Sequence, residues 1–180
     1  MPDQTDLKTP LLEPLETTLV PATNAPLVIR DYFKKNRKVK LATVYDEFKQ
    51  RFFDKTEQPA AETTYRKYKL LRISPDGPVI AELGGETKAE GSVAAVCALL
   101  ERQGNGGAGF LQTNGYANIF YAKDKRGVLC AIRVGWADTG WVIDAIPAND
   151  PLAWNGKHQV FSPCPVSGAG MAQLDTAPDS

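Results

Sequence analysis

An apolar residue at every second position of residues 128–136 constrains the fold more than any other feature of the sequence. Ala137-Asp138-Thr139-Gly140 then has the composition of a turn, and Trp141–Ile146 follows as a return strand. The two segments predict an antiparallel hairpin in which Trp136 and Trp141 pair across the strands. Five apolar side chains share one face of its first strand because they occupy every second position: Val128, Cys130, Ile132, Val134 and Trp136.

Other segments of the second half extend this hairpin into a sheet with one helix. Thr87 and Glu90 have the spacing of a capping box, which predicts a helix from Thr87 to about Gln103 that packs against the sheet. We therefore expect an antiparallel sheet of about five strands. Its further strands are expected over Phe110–Thr113, Ala117–Ala122 and His158–Ser162.

The first half of the chain has mostly helical patterns. The apolar spacing predicts helices over Leu27–Asn36, Leu41–Asp54 and Ala61–Lys67. The last of these is expected to pass quickly into a strand, since Lys67–Ile73 could equally begin one. A turn at Ser74–Gly77 and a strand over Val79–Leu83 would complete a hairpin. This order of elements is similar to that of a winged helix. The fold class expected is α+β, with an N-terminal helical lobe that resembles a winged helix and the antiparallel sheet.

Composition divides the chain into four segments. Residues 1–26 hold five prolines and are expected to be a flexible arm, and residues 163–180 a flexible tail. Residues 27–83 are expected to form the basic helical lobe with its hairpin. Residues 84–162 are expected to form the helix and meander, in one domain with that lobe. No apolar run approaches the ~20 residues that span a bilayer, so no membrane association is expected. Three scattered cysteines favour reduced thiols in a cytoplasmic protein.

A formal net charge of zero hides a strongly basic segment. Residues 30–72 carry thirteen basic and six acidic residues, a net charge of +7, so the rest of the chain carries −7. Such asymmetry indicates a local surface for a polyanion. The aromatic residues between these charges have helical spacing and are expected in the core, with Phe53 the best candidate for exposure.

The basic segment predicts a non-enzymatic nucleic-acid-binding protein, with DNA favoured over RNA. In a winged helix the third helix enters the major groove. The alternative is an adaptor, effector or immunity-type protein whose basic lobe meets an acidic partner protein. The predicted nucleic-acid contacts are Lys34, Lys35, Arg37, Lys38, Lys40, Lys49, Arg51, Thr63, Thr64, Arg66, Lys67 and Lys69.

The sequence predicts no catalytic residue, cofactor or metal ion. The glycine-rich segment 104–109 follows a helix and precedes a strand, which is the reverse of a phosphate-binding loop. His158 is the only histidine, and Cys97 and Cys130 lie on core stripes where thiols are inert. Cys164 is near His158 in sequence but falls in the expected tail. Catalysis by paired carboxylates stays open, because spacing does not show which acids meet in space.

Overall fold

The structure is a computed structural model that describes residues 9–35 and 38–164. None of the helices in these two ranges is long and apolar enough to cross a bilayer. The strands are β1 Leu12–Val20, β2 Leu27–Val28, β3 Leu41–Val44, β4 Thr56–Glu57, β5 Thr63–Leu70, β6 Ser74–Pro75, β7 Asn118–Lys123, β8 Leu129–Ala137, β9 Gly140–Pro147, β10 Ala153–Trp154 and β11 Gln159–Cys164. The helices are α1 Ile29–Lys35, α2 Asp46–Phe52, α3 Asp76–Glu82, α4 Glu86–Ala89 and α5 Val93–Arg102.

Seven strands form one mixed sheet in the order β1-β5-β11-β7-β8-β9-β3. The pairs β11–β7 and β3–β9 are parallel, and the other neighbouring pairs are antiparallel. β11 lies inside the sheet, between β5 and β7, rather than at its edge. It therefore joins the N-terminal strands β1 and β5 to the meander β7–β8–β9. Two short pairs, β2–β4 and β6–β10, lie outside this sheet.

Both faces of the sheet are buried, because neighbouring side chains along a strand point to opposite faces. On β7, Phe120 joins the apolar cluster that includes residues of α1, α2 and α5; we call this side the α5 face. Ile119 and Tyr121 join a second cluster that includes residues of α3 and α4; we call this side the α3 face. The strands of the meander are consequently apolar at nearly every position, as in sheets covered on both sides.

The predicted helical lobe with an antiparallel sheet of about five strands is wrong. Residues 63–70 form β5, which pairs with β1 on one side and with β11 on the other. Thr and Tyr favour strands, and backbone pairing on both sides overrides the helical spacing of Tyr65 and Tyr68. The two tyrosines pack on opposite faces of the sheet, Tyr65 on the α5 face and Tyr68 on the α3 face.

Two other segments also differ from their predicted type, which removes the winged-helix arrangement. The helix expected over Leu41–Asp54 is β3 followed by α2; its single apolar stripe arises because both elements pack on the α5 face. Residues 79–83, expected as a strand, lie in or directly after α3, which begins at Asp76. Proline in the first turn suits a helix, so the signals that predict a turn here also start α3.

The two ends of the chain fall partly outside the described residues. The segment 1–26, where the sequence predicts an arm, contains β1, which is an edge strand of the sheet. Residues 1–8 lie outside the described ranges, as do residues 165–180 of the predicted tail. Pro163 and Cys164, the first two residues of that tail, end β11.

The β8–β9 hairpin confirms the sequence prediction. Trp136 and Trp141 are paired, with ring centroids 5.5 Å apart in an edge-to-face arrangement. The indole N–H of the buried Trp141 donates to the Gln103 carbonyl at 2.8 Å, which fixes the hairpin to the end of α5.

The helix expected over Thr87–Gln103 is divided into α4 and α5, and Ser92 caps α5 by accepting the Ala95 N–H at 3.1 Å.

Asp76 is a fully buried carboxyl at the start of α3. Its Oδ1 accepts the Tyr121 hydroxyl at 2.6 Å and the Trp154 indole N–H at 2.7 Å. Its Oδ2 has no hydrogen-bond partner among the described residues. Burial raises the pKa of Asp76 because the charged form loses its hydration, and the two hydrogen bonds oppose this effect.

We expect Gly140→Ala to lower the free energy of unfolding by more than about 3 kcal/mol. Gly140 has φ +145°, and an added Cβ would lie 2.7 Å from the backbone nitrogen of Ala42 in β3. Gly127→Ala is the matched control, because Gly127 has φ +82° with nothing within 4 Å of an added Cβ. It should cost only about 1–2 kcal/mol of backbone strain. Urea unfolding measures both, and equal losses would show that β3 moves aside at no cost.

We expect Asp76→Asn to stabilise the fold increasingly as the pH rises above about 4. The folded-state pKa of Asp76 is raised, so the folded protein favours the protonated carboxyl. The wild-type protein therefore loses stability as the pH rises through that pKa. Asparagine accepts the same two hydrogen bonds and carries no charge at any pH. Urea unfolding of both proteins across the acidic to neutral range gives the difference, with a slope of at most about 1.4 kcal/mol per pH unit. A pH-independent difference would contradict a buried titrating carboxyl.

Candidate functional site

The structure separates the predicted nucleic-acid contacts into two groups on different strands and helices. Thr63, Thr64, Arg66, Lys67 and Lys69 lie on β5, the second strand of the sheet. The others lie on or beside α1, β3 and α2, at the opposite edge; Arg37 lies outside the described residues. Five strand spacings of about 4.8 Å separate β5 from β3, so the groups lie about 24 Å apart across the sheet and do not form one surface.

Two of the basic residues of β5, Lys67 and Arg66, serve the fold. Lys67 is only 7% exposed. Its ammonium lies 3.0 Å from the Glu16 carboxylate and 4.9 Å from the centre of the Phe110 ring. The Arg66 guanidinium donates to the Leu15 carbonyl at 2.8 Å. Both side chains therefore hold β1 and the loop after α5 against β5. The hydroxyl of Thr63 donates to the Ala61 carbonyl at 3.1 Å, also a local contact.

Two members of the second group, Lys34 and Lys49, line a cleft of about 730 Å³, which we call the basic cleft. Among the described residues, its cationic lining side chains are Arg30, Lys34, Lys49 and Lys125, and its one lining carboxylate is Asp54. One wall is β3, and the others are α1, α2 and the turn that joins β7 to β8. Lys35, Lys38 and Lys40 are exposed on nearby segments but do not line the cleft.

Aromatic packing fixes the two short helices that carry these cations. Phe33 of α1 contacts Phe48 of α2 edge-to-face, with ring centroids 5.3 Å apart. Phe33 also stacks with Phe53 at 6.4 Å, and these two rings lie under the cleft. Phe53 is only 9% exposed, so the expectation that it would be exposed is wrong.

Asp54 joins two of the four cations of the cleft. Its carboxylate pairs with Arg30 of α1 and lies 3.2 Å from the Lys125 ammonium. The hydrogen bond from Lys125, together with the positive charges of Lys125 and Arg30, lowers the pKa of Asp54. Lys34 and Lys49 form no ion pair with a carboxylate in the described part of the chain. Four cations and one carboxylate give the cleft a net positive charge.

Arg51, also predicted as a nucleic-acid contact, instead faces the turn after β7. Its guanidinium lies 3.0 Å from the buried Asp124 and 3.1 Å from Glu47. The Lys125 N–H donates to the Arg51 carbonyl at 2.9 Å. These contacts place Lys125 beside α2 and so complete the cleft. Arg51 is therefore a structural residue of the cleft wall.

The outer edge of β3 offers backbone groups to the cleft. The Tyr45 N–H donates to the Ile143 carbonyl of β9 at 2.9 Å. Successive residues of a strand direct their backbone groups to opposite sides, so the N–H and C=O of Val44 point away from β9. Val44 lines the cleft, and β3 has no second strand beside it in the described part of the sheet.

Sequence reasoning misses the features that complete this site. Lys125 is distant in sequence from the basic segment. It lies within Lys123-Asp124-Lys125-Arg126-Gly127, a run of residues that predicts only a turn. The open edge of β3 was hidden because residues 41–44 fit a helical stripe. The cluster of charges in the sequence does locate Lys34 and Lys49.

The reactive side chains named by the sequence are not assembled into a catalytic group. His158 immediately precedes β11 and Cys164 ends it, so about 20 Å of extended strand separates them. Burial raises the pKa of the Cys97 thiol well above its usual range and that of Cys130 to about 11. No group of three or more His, Cys, Asp or Glu side chains among the described residues is placed to hold a metal ion.

Comparison with known proteins gives no match to this chain among family models, curated proteins or solved structures.

We expect one of the three thiols, that of Cys164, to react rapidly with a disulfide reagent at neutral pH. Cys97 and Cys130 are buried with raised pKa values, so neither supplies an accessible thiolate, whereas Cys164 is partly exposed. Release of chromophore from Ellman's reagent should give one fast equivalent when folded and three when unfolded. Cys164→Ser should remove the fast phase, and Cys130→Ser should keep it. Fast release of more than one equivalent would contradict the burial of the other two.

Proposed function

We propose that this protein is a binding protein that takes an extended acidic segment of a partner protein into the basic cleft. The observation that carries the proposal is the outer edge of β3, which lines the cleft together with Lys34 and Lys49, two lysines without an ion pair among the described residues. An extended peptide can add a strand to an exposed sheet edge, with backbone hydrogen bonds supplying affinity. Acidic side chains of that peptide would meet Lys34 and Lys49, which supply steering and specificity.

The lining of the cleft favours a peptide over a nucleic acid. Binding of single strands depends on aromatic rings that are exposed for base stacking. The two rings in the cleft, Phe33 and Phe53, are 8% and 9% exposed and pack against each other. Duplex binding in the manner of a winged helix needs a recognition helix, and residues 63–70 are a strand instead. Nucleic acid is therefore the competing outcome in the tests that follow.

We expect Lys34→Glu with Lys49→Glu to weaken binding of an acidic peptide about tenfold or more. Each reversal replaces an attraction of up to about 1 kcal/mol by a repulsion. The probe is a fluorescent peptide of about eight residues that alternates Glu and Val, read by anisotropy at low ionic strength. Lys69→Glu with Lys88→Glu is the matched control, because both lysines are exposed and lie outside the cleft. Added salt should weaken wild-type binding.

Val44→Pro should remove most peptide binding, whereas Val44→Ala should keep it. Proline deletes the N–H that faces the cleft and is tolerated on the outer edge of a sheet. Alanine shortens the side chain and keeps the donor. An oligonucleotide that binds more tightly than the peptide and ignores Val44→Pro would replace the proposal with nucleic-acid binding. If neither probe binds at low salt, the basic cleft is not an anion site.

A further inference from the structure

A second cavity, of about 260 Å³, lies on the α3 face of the sheet, near the end that helices α3 and α4 leave uncovered. Its floor is formed by Gly135 and Ala137 of β8 and Val142 of β9. These positions alternate with Val134, Trp136 and Ile143, which pack on the α5 face. Tyr45, Arg133 and His158 stand at its margin. We call it the His158 cavity; it is separate from the basic cleft and does not depend on the proposed function.

Arg133 supplies a held cation to this cavity. It is paired across the strands with Asp144, and its Nη2 lies 2.6 Å from the Asp144 carboxylate. The guanidinium has five N–H groups in a fixed plane, so one hydrogen bond to Asp144 leaves others for a ligand. The Arg133 side chain is 40% exposed, which makes those groups accessible.

His158 supplies a neutral donor beside that cation. Its Nδ1 accepts the Ala117 N–H at 2.9 Å, so the proton of the neutral ring is on Nε2. Burial and the positive charge of Arg133 lower the pKa of His158, which keeps the ring neutral at neutral pH. Among the described residues, no acceptor is bonded to Nε2–H. The ring is fixed edge-to-face between Tyr116 and Trp154, at 5.7 Å and 5.4 Å.

Trp154 positions both donors and is itself fixed at a cost in stability. Its ring centre lies 5.9 Å from the Arg133 guanidinium carbon and contacts His158 edge-to-face. Its indole N–H is bonded to the buried Asp76, whose second oxygen has no partner in the described residues. A buried carboxyl with an unsatisfied oxygen destabilises a fold, and such groups are concentrated at functional sites.

We infer that the His158 cavity is a binding site for a small planar organic carboxylate. The carboxylate would accept hydrogen bonds from Arg133 and from His158 Nε2–H, and the planar body would lie on Gly135 beside Tyr45. Gly135 leaves this floor flat, because the nearest atom to an added Cβ is the Tyr116 carbonyl oxygen at 4.0 Å. The apolar floor and the volume favour an organic body over a bare inorganic anion.

Because His158 is the only histidine in the chain, its imidazole proton resonances report on the cavity without assignment of other residues. The probe is benzoate at neutral pH, with benzamide as the uncharged isostere and inorganic phosphate as the anion without a planar body. We expect benzoate to shift the His158 resonances with a dissociation constant on the order of 1 mM, typical for a ligand of this size. Benzamide and phosphate should shift them several-fold less at equal concentration.

Variants make the experiment specific to the cavity. Gly135→Val should abolish the benzoate shift while the protein stays folded, since there is room for a side chain there and valine favours strands. Arg133→Gln should weaken binding about tenfold, and Arg126→Gln, at an exposed turn position outside the cavity, should leave it unchanged. No benzoate shift in the wild type, an equal shift with benzamide, or a shift that survives both Gly135→Val and Arg133→Gln would overturn the inference. A phosphate shift as large as that of benzoate would also overturn it.

Discussion

The insertion of β11 between β5 and β7 is the interaction on which the rest of the structure depends. β11 pairs with β5 over six residues and with β7 over two, and it is the only strand that links the β1–β5 pair to the meander in the described sheet. Two fully buried residues of β11 point to opposite faces of the sheet: Phe161 joins the cluster on the α5 face, and Val160 joins the cluster on the α3 face. The sheet is thus completed only by β11, the last described strand, whose partners β5 and β7 lie far earlier in the sequence. The same strand brings His158 beside Ala117 and Trp154.

Burial of both sheet faces leaves few places for a binding site. The α5 face is filled by α1, α2 and α5, and the α3 face is covered only over part of the meander. Two openings remain beside β3: its outer edge, in the basic cleft, and the uncovered floor around Gly135, in the His158 cavity. Val44 lines the first and its neighbour Tyr45 lines the second. The end of β3 and the residue that follows it therefore border the two proposed sites.

Local sequence patterns predict the elements whose apolar residues lie on a single face or that are joined by a single short turn. The β8–β9 hairpin is an example, because its alternation and its turn residues agree. A strand is predicted only from Lys67 onward, because the apolar residues of 63–70 serve opposite faces of the sheet and so do not alternate. The charge count found Lys34 and Lys49 but could not show that Arg66 and Lys67 bind Leu15 and Glu16, nor that Lys125 enters the cleft. Those facts follow from pairings between residues far apart in sequence.

The two edges of the sheet differ in a way that favours an acidic partner over a second copy. At β3 the edge is four residues long with Lys34, Lys40 and Lys49 around it, so pairing two β3 edges would bring like charges together. β1 is longer and carries Glu13 and Glu16, a charge complement to β3. However, Pro14 and the register shift between Pro14 and Thr17 interrupt its pairing, and Glu16 is already bound to Lys67. These features disfavour docking of the β1 edge on β3 of another molecule, which agrees with the proposed binding of an acidic segment that lacks such an interruption.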